Sequence, residues 1–216
     1  MSAPPAGGTA AGADVRAVAR TAEQTQVDFR VLLDALSRPG TIGRLDAPAG
    51  APAATVPAAG LADVEVRLAV YARPGDQRWA AAVYAATGAP YAGPEEARMV
   101  LALRPPTPDE LRALPRGDAL APELGARLVI AVGALRHSPE PGDVALTLRG
   151  PGVRDTAALA VSGLDAAVFA ALEEVNAGFP AGVDTFLVAA DGTVAGLPRT
   201  TRIEITGTSD IEMGDR

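Results

Sequence analysis

Hydrophobic and polar positions along the 216-residue chain alternate between two periods. From Thr25 to Gly40, "TQVDFRVLLDALSRPG", Phe29, Leu32, Leu33 and Leu36 recur at helical spacing, and Pro39-Gly40 ends the run. From Val64 to Ala72 the period falls to two, so that Val64, Val66, Leu68 and Val70 share one face of a half-buried strand. "DQRWAAAVYAATG" returns to helix, with Asp76 as its cap and Gly88 as its stop. "ARMVLAL" predicts a strand, and "TPDELRALP" a short helix that opens on a Thr107–Glu110 capping box with Pro108 in its first turn.

The second half repeats the alternation. "GARLVIAVGAL", with the apolar stretch "LVIAVGAL", predicts a central strand; "DVALTLRG" and "DTAALAVSG" predict two more. "LDAAVFAALEEVNAGFP" predicts a helix stopped at Gly178. "DTFLVAADGTVAGLPR" predicts a hairpin about Asp191-Gly192, and "RIEI" a closing strand entered through "PRTT". Residues 46–60, rich in Pro, Gly and Ala, predict a surface loop or a poor short helix. Interspersed strands and helices with a hairpin predict an α/β fold, a layered mixed β-sheet with flanking helices. With no repeat and no clear linker, one domain is expected over 21–206, between a flexible N-terminal arm (1–20) and a polar C-terminal tail (207–216).

Composition narrows the chemistry by what it lacks. There is no cysteine, and all 19 basic residues are arginine. Without cysteine the chain cannot ligate an iron–sulfur cluster through thiolates. Without lysine it cannot hold pyridoxal phosphate (PLP) as a Schiff base or build a Walker A loop. Its single histidine, His137, cannot form a two-histidine metal site, so no metal site is expected. A net charge of −7 argues against nucleic acid or an anionic membrane as partner. With neither a signal-like start nor a long apolar run, a cytoplasmic location is expected.

Five segments occur in an order that resembles a known family: "FRVLLDALSRPGTI", "RGDALAPELGARLVI", "LRGPGV", "NAGFPAGVDTFLV" and "LPRTT". They are similar to the PhnH subunit of the bacterial carbon–phosphorus (C–P) lyase machinery. The resemblance covers about residues 24–206, with Val183 where the family pattern has isoleucine. It implies a fold like that of PLP transferases without the cofactor, and a homodimer in isolation. It also implies partnership with the G, I and J subunits of a core complex and an ATPase-like L subunit. Within that complex ATP and a phosphonate would be the substrates, giving a ribose 1-phosphonate 5-triphosphate. The radical step would belong to another subunit.

The candidate site residues each carry two readings. Arg199, on a regular strand, would share a face with Thr201, opposite Thr200, and its guanidinium would grip a phosphonate or pair with Asp184. Gly150 and Gly152 would cradle an anion beside Arg154, or form a tight turn. Glu123 would act as a base or grip a ribose hydroxyl, or merely cap a turn before the central strand. Arg38, with Pro39 and Gly40, would complement a helix terminus or meet another subunit. His137 reads as exposed, and Trp79 and Tyr84 as packing anchors. No residue is assigned a catalytic role.

Overall fold

The computed structural model describes residues 10–47 and 49–208. The parts of the expected arm and tail at 1–9 and 209–216 lie outside the described residues. Six α-helices, two 3₁₀ turns (Pro74–Asp76 and Pro122–Leu124) and ten strands are present among the described residues: α1 Ala10–Val18, α2 Ala22–Ser37, α3 Thr55–Leu61, α4 Gln77–Thr87, α5 Pro108–Arg112 and α6 Ala166–Val175. The strands are β1 Gly43–Arg44, β2 Leu68–Tyr71, β3 Met99–Ala102, β4 Arg127–Val132, β5 Ala134–Arg136, β6 Asp143–Arg149, β7 Ala157–Ser162, β8 Asp184–Ala189, β9 Thr193–Leu197 and β10 Arg202–Thr208. Among the described residues no helix is long and apolar enough to cross a membrane.

The strands form two sheets rather than one. The larger is ordered β1-β9-β8-β4-β3-β2, with β2, β3, β4 and β8 parallel and β9 and β1 added antiparallel. The smaller is antiparallel, β10-β6-β7-β5. Alternation along the large sheet divides the core. Leu68, Met99, Leu101, Val129, Phe186, Val188 and Val194 face α1–α4, where they meet Val18, Leu32, Val56, Trp79 and Val83. Val100, Leu128, Ile130, Leu187, Ala195 and Leu197 face α5, α6 and the small sheet. Both faces of the parallel strands are therefore covered, as a βαβ arrangement requires.

The structure corrects several expectations. The segment from Gly125 to Leu135, expected as one central strand, is two strands, because the chain leaves the large sheet at Gly133 and enters the small one as β5. A Cβ at Gly133 would lie 2.9 Å from Ser162 Oγ, so this crossing is tight. The strand expected from Val64 begins only at Leu68, because the Asp63 carboxylate accepts from Glu65 N–H and holds a turn; Val64 is exposed. Asp76 sits at the start of α4, but its side chain makes no capping bond. Residues 10–18, expected in the flexible arm, form α1 and bury Val18. Gly207 and Thr208, expected in the polar tail, belong to β10.

α2 faces the core differently from the sequence reading. Asp28, Leu32 and Ala35 are buried, while Phe29 and Leu33 are exposed. The cause is close backbone packing on β9: a Cβ at Gly196 would stand 2.5 Å from Ala35 O. Only a small helical face fits there, so the bulkier side chains turn outward.

Candidate functional site

"PRTT" is a turn, not the start of a strand. β9 ends at Leu197, β10 begins at Arg202, and Thr201 N–H donates to Pro198 O at 2.8 Å across the turn. The four residues carry the chain from the large sheet to the small one. The expected sharing of strand faces, Arg199 with Thr201 and Thr200 opposite, therefore does not apply.

Arg199 is largely buried and occupied on every side. Its Nε and Nη2 donate to Asp184 Oδ1 and Oδ2 at 3.2 and 2.7 Å. Its Nη1 donates to Pro122 O at 2.7 Å and to Pro180 O at 3.3 Å, and its backbone N–H to Asp184 Oδ1 at 2.9 Å. One side chain thus ties the turn to the start of β8 and to the loops preceding β4 and β8. A forked, planar donor can do this; a lysine ammonium lacks the geometry.

Asn176, absent from the sequence-derived candidates although it opens the "NAGFP" segment, completes the frame. It is buried at the end of α6, accepts from Val183 N–H at 2.7 Å and donates to Val183 O at 3.2 Å. Gly182 N–H donates to Arg116 O at 2.7 Å. Gly125 lets these loops touch, since a Cβ there would meet Gly182 O at 2.3 Å.

A cavity of about 330 Å³ opens against this frame, lined by Pro122, Glu123, Gly125, Arg127, Phe179, Pro180, Asp184 and Arg199. Arg127, the first residue of β4, and Glu123 are exposed and have no ion-pair partner among the described residues. Phe179 is 63% exposed at the mouth. The available chemistry is therefore one guanidinium, one carboxylate and one aromatic face, on loops fixed by Arg199. Such a site can bind an anion with an attached planar or apolar group.

The remaining candidates form a separate seam. Gly40 packs on Ala157, Gly152 on Ser37 O and Gly150 on Thr200 O, each too close for a Cβ. The three glycines have positive φ, at 91°, 80° and 134°. "RGPG" thus touches both "SRPG" and "PRTT", and the Gly150–Gly152 stretch is the turn joining β6 to β7. Pro39 is buried, Arg38 pairs with Asp34 and Thr201 is buried, while Thr200 is half-buried in the turn. His137 is exposed, Tyr84 donates from its hydroxyl to Leu68 O at 2.9 Å, and Trp79 is buried under Arg78.

The motif segments that pack here all lie within the span that a family profile matches. The profile of the bacterial phosphonate metabolism protein (PhnH) family matches residues 16–204. The chain belongs to the PhnH family. Two curated proteins agree with this placement. The chain is 31% identical over 188 residues to "Alpha-D-ribose 1-methylphosphonate 5-triphosphate synthase subunit PhnH" of Rhizobium meliloti (strain 1021), covering 84% of this chain and 90% of that protein. It is 42% identical over 98 residues to "Putative C-P lyase subunit protein HtxG" of Stutzerimonas stutzeri. That second match spans 45% of this chain and about half, 47%, of its relative. In PhnH terms, "FPAGVD" and "LPRTT" are the two sides of the Asp184–Arg199 clasp.

Proposed function

We propose that this PhnH-family protein is a non-radical subunit of a C–P lyase core complex. It assists transfer of the ribose triphosphate moiety of ATP to an alkylphosphonate, alongside G-, I-, J- and L-type subunits and, when isolated, as a homodimer. Family membership supports the setting. The observation that carries the local reading is the Arg127–Glu123–Phe179 cavity built on the Arg199 clasp. Arg127 is suited to a phosphoryl or phosphonyl oxygen, and the exposed Phe179 ring to a base or sugar face. The lack of lysine agrees with a PLP-transferase-like frame that works without that cofactor.

A second reading, an assembly scaffold with no ligand, is favoured by one observation: every side-chain nitrogen of Arg199 donates to the protein itself. The test is complementation of a deletion strain growing on methylphosphonate as sole phosphorus source. The wild-type gene should restore growth and Arg127→Glu should not, while Arg127→Glu still co-purifies with the other subunits. Growth of the deletion strain itself would remove the proposal. Loss of growth only together with loss of co-purification would favour the scaffold.

A further inference from the structure

The Arg127 cavity holds two charges of opposite sign that do not answer each other. Arg127 and Glu123 both line it, both are exposed, and neither has an ion-pair partner among the described residues. The other two charges of the lining cancel, because Arg199 and Asp184 are bonded together at 2.7 Å. What stays open is one cation and one anion, with the exposed Phe179 ring beside them. Both charges stand on fixed backbone. The Glu123 turn is held at Pro122 O by Arg199 Nη1 at 2.7 Å, and Arg127 N–H donates to Arg98 O at 2.9 Å as β4 begins.

That balance sorts ligands by charge. A nucleoside triphosphate carries several negative charges, and would meet one free guanidinium beside a repelling carboxylate on a chain of net charge −7. A simple alkylphosphonate would satisfy Arg127 and leave Glu123 unanswered. A molecule with an anionic group at one end and an ammonium at the other answers both, and its ammonium also gains from the face of an aromatic ring. Size points the same way. A volume of about 330 Å³ lies near the lower limit of ligand cavities and suits a compact molecule.

We infer that this cavity binds a small zwitterion, its phosphonate or carboxylate held by Arg127 and its ammonium by Glu123 and the Phe179 ring. The inference rests on reading the cavity as a ligand site, and it deepens that reading. Of the two substrates in the proposed reaction, the phosphonate in an aminoalkyl form belongs here and the nucleotide does not. An aminoalkylphosphonate and an amino acid supply the same pair of charges.

The test titrates the ¹⁵N-labelled full chain with 2-aminoethylphosphonate, ethylphosphonate, β-alanine and ATP, following the amides of Glu123, Gly125, Arg127, Phe179 and Asp184. 2-Aminoethylphosphonate is expected to bind about two- to fivefold tighter than ethylphosphonate, and tighter than ATP. Tighter binding of it than of β-alanine would assign the site to a phosphonate. The reverse order would uphold the zwitterion and assign it to an amino acid, against the phosphonate reading of the cavity. Glu123→Gln changes an exposed side chain, so it should fold as wild type and bring 2-aminoethylphosphonate and ethylphosphonate to equal affinity. Arg127→Gln should weaken both about tenfold. Equal affinities in the wild type, or a preference that survives Glu123→Gln, would overturn the inference and leave an anion site standing. Tighter binding of ATP at these amides would also overturn it. No shift with any of the four would remove both the inference and the ligand-site reading beneath it.

Discussion

The two ends of the parallel strands are built on different terms. At the amino ends of β4 and β8, three loops converge, and one guanidinium answers their carbonyls and a carboxylate together. At the carboxyl ends of β2 and β3, the charged groups are met locally. Arg104 reaches Glu110, with Nη1–Oε2 at 2.8 Å, and Glu110 also closes the capping box of α5 by accepting from Thr107 N–H. Open α/β sheets usually place their crevice at the carboxyl ends. Here that end of β4 turns into the small sheet at Gly133, and Val132 and Ala189 are buried. Closing one end leaves the cavity at the other. The comparison teaches that strand direction alone does not locate a site; the path of the chain after the strand decides which end stays open.

The largest test of this contrast is Arg199→Ala. It strands the Asp184 carboxylate and two loop carbonyls, and should cost about 3 kcal/mol. For a chain of this size that is a fall in Tm of roughly 6–12 °C. Differential scanning calorimetry measures it, and a fall under about 2 °C would mean the loops hold without their clasp. Next is Gly125→Ala at the same end. Its Cβ would press on Gly182 O and on Arg199 Nη1, 2.9 Å away. Overpacking of this kind costs about 2 kcal/mol and should lower the urea midpoint. A silent substitution would show the loops to be loosely seated.

At the other end a smaller effect is expected. Glu110→Gln weakens the Arg104 pair and the capping box, for a loss of about 1 kcal/mol. The sign of its pH dependence follows from the folded state. Hydrogen bonding from Arg104 is the main cause holding the Glu110 carboxyl below its usual 4.5, aided by Thr107 and opposed by burial. A carboxylate so held adds stability above pH 4.5 that is lost as pH falls through its folded value. The gap between wild type and Glu110→Gln should therefore narrow in acid. A gap that stays constant from pH 7 to pH 3 would assign the loss to packing rather than charge.

How much of this was legible in sequence depends on range. The α5 capping box and the Asp191-Gly192 turn were readable because every partner lies within three residues. The Arg199–Asp184 pair was readable only as one of two options, since nothing local separates a carboxylate partner from a bound anion. The split of the apolar run at Gly133 was not readable, because both halves are equally apolar and only the distant β7 decides the crossing. Asn176 carries no local signal for a related reason: the loop it holds lies seven residues away. Likewise Phe29 and Leu33 matched a helical stripe, but a glycine on β9 chose the face.

The smallest expected effect carries the opposite sign and returns to the carboxyl ends. Tyr71 ends β2 with its hydroxyl buried and unbonded among the described residues, beneath the Arg104 guanidinium. Tyr71→Phe removes a polar atom that has been desolvated without compensation, so stability should be unchanged or rise by up to about 1 kcal/mol. Burial, with Glu110 adding to it, pushes the Tyr71 phenol up to about 12 from 10.0. A raised phenol contributes stability that is complete below pH 10.0 and is lost as pH climbs towards 12. The Phe variant lacks that loss, so its advantage should widen between pH 8 and pH 11 in paired urea titrations. A variant less stable than wild type by more than about 1 kcal/mol at pH 8 would mean the hydroxyl is bonded in solution. The Tyr71 hydroxyl would then be as well satisfied as the Arg104–Glu110 pair beside it, and the contrast between the two ends would rest on the path of the chain alone.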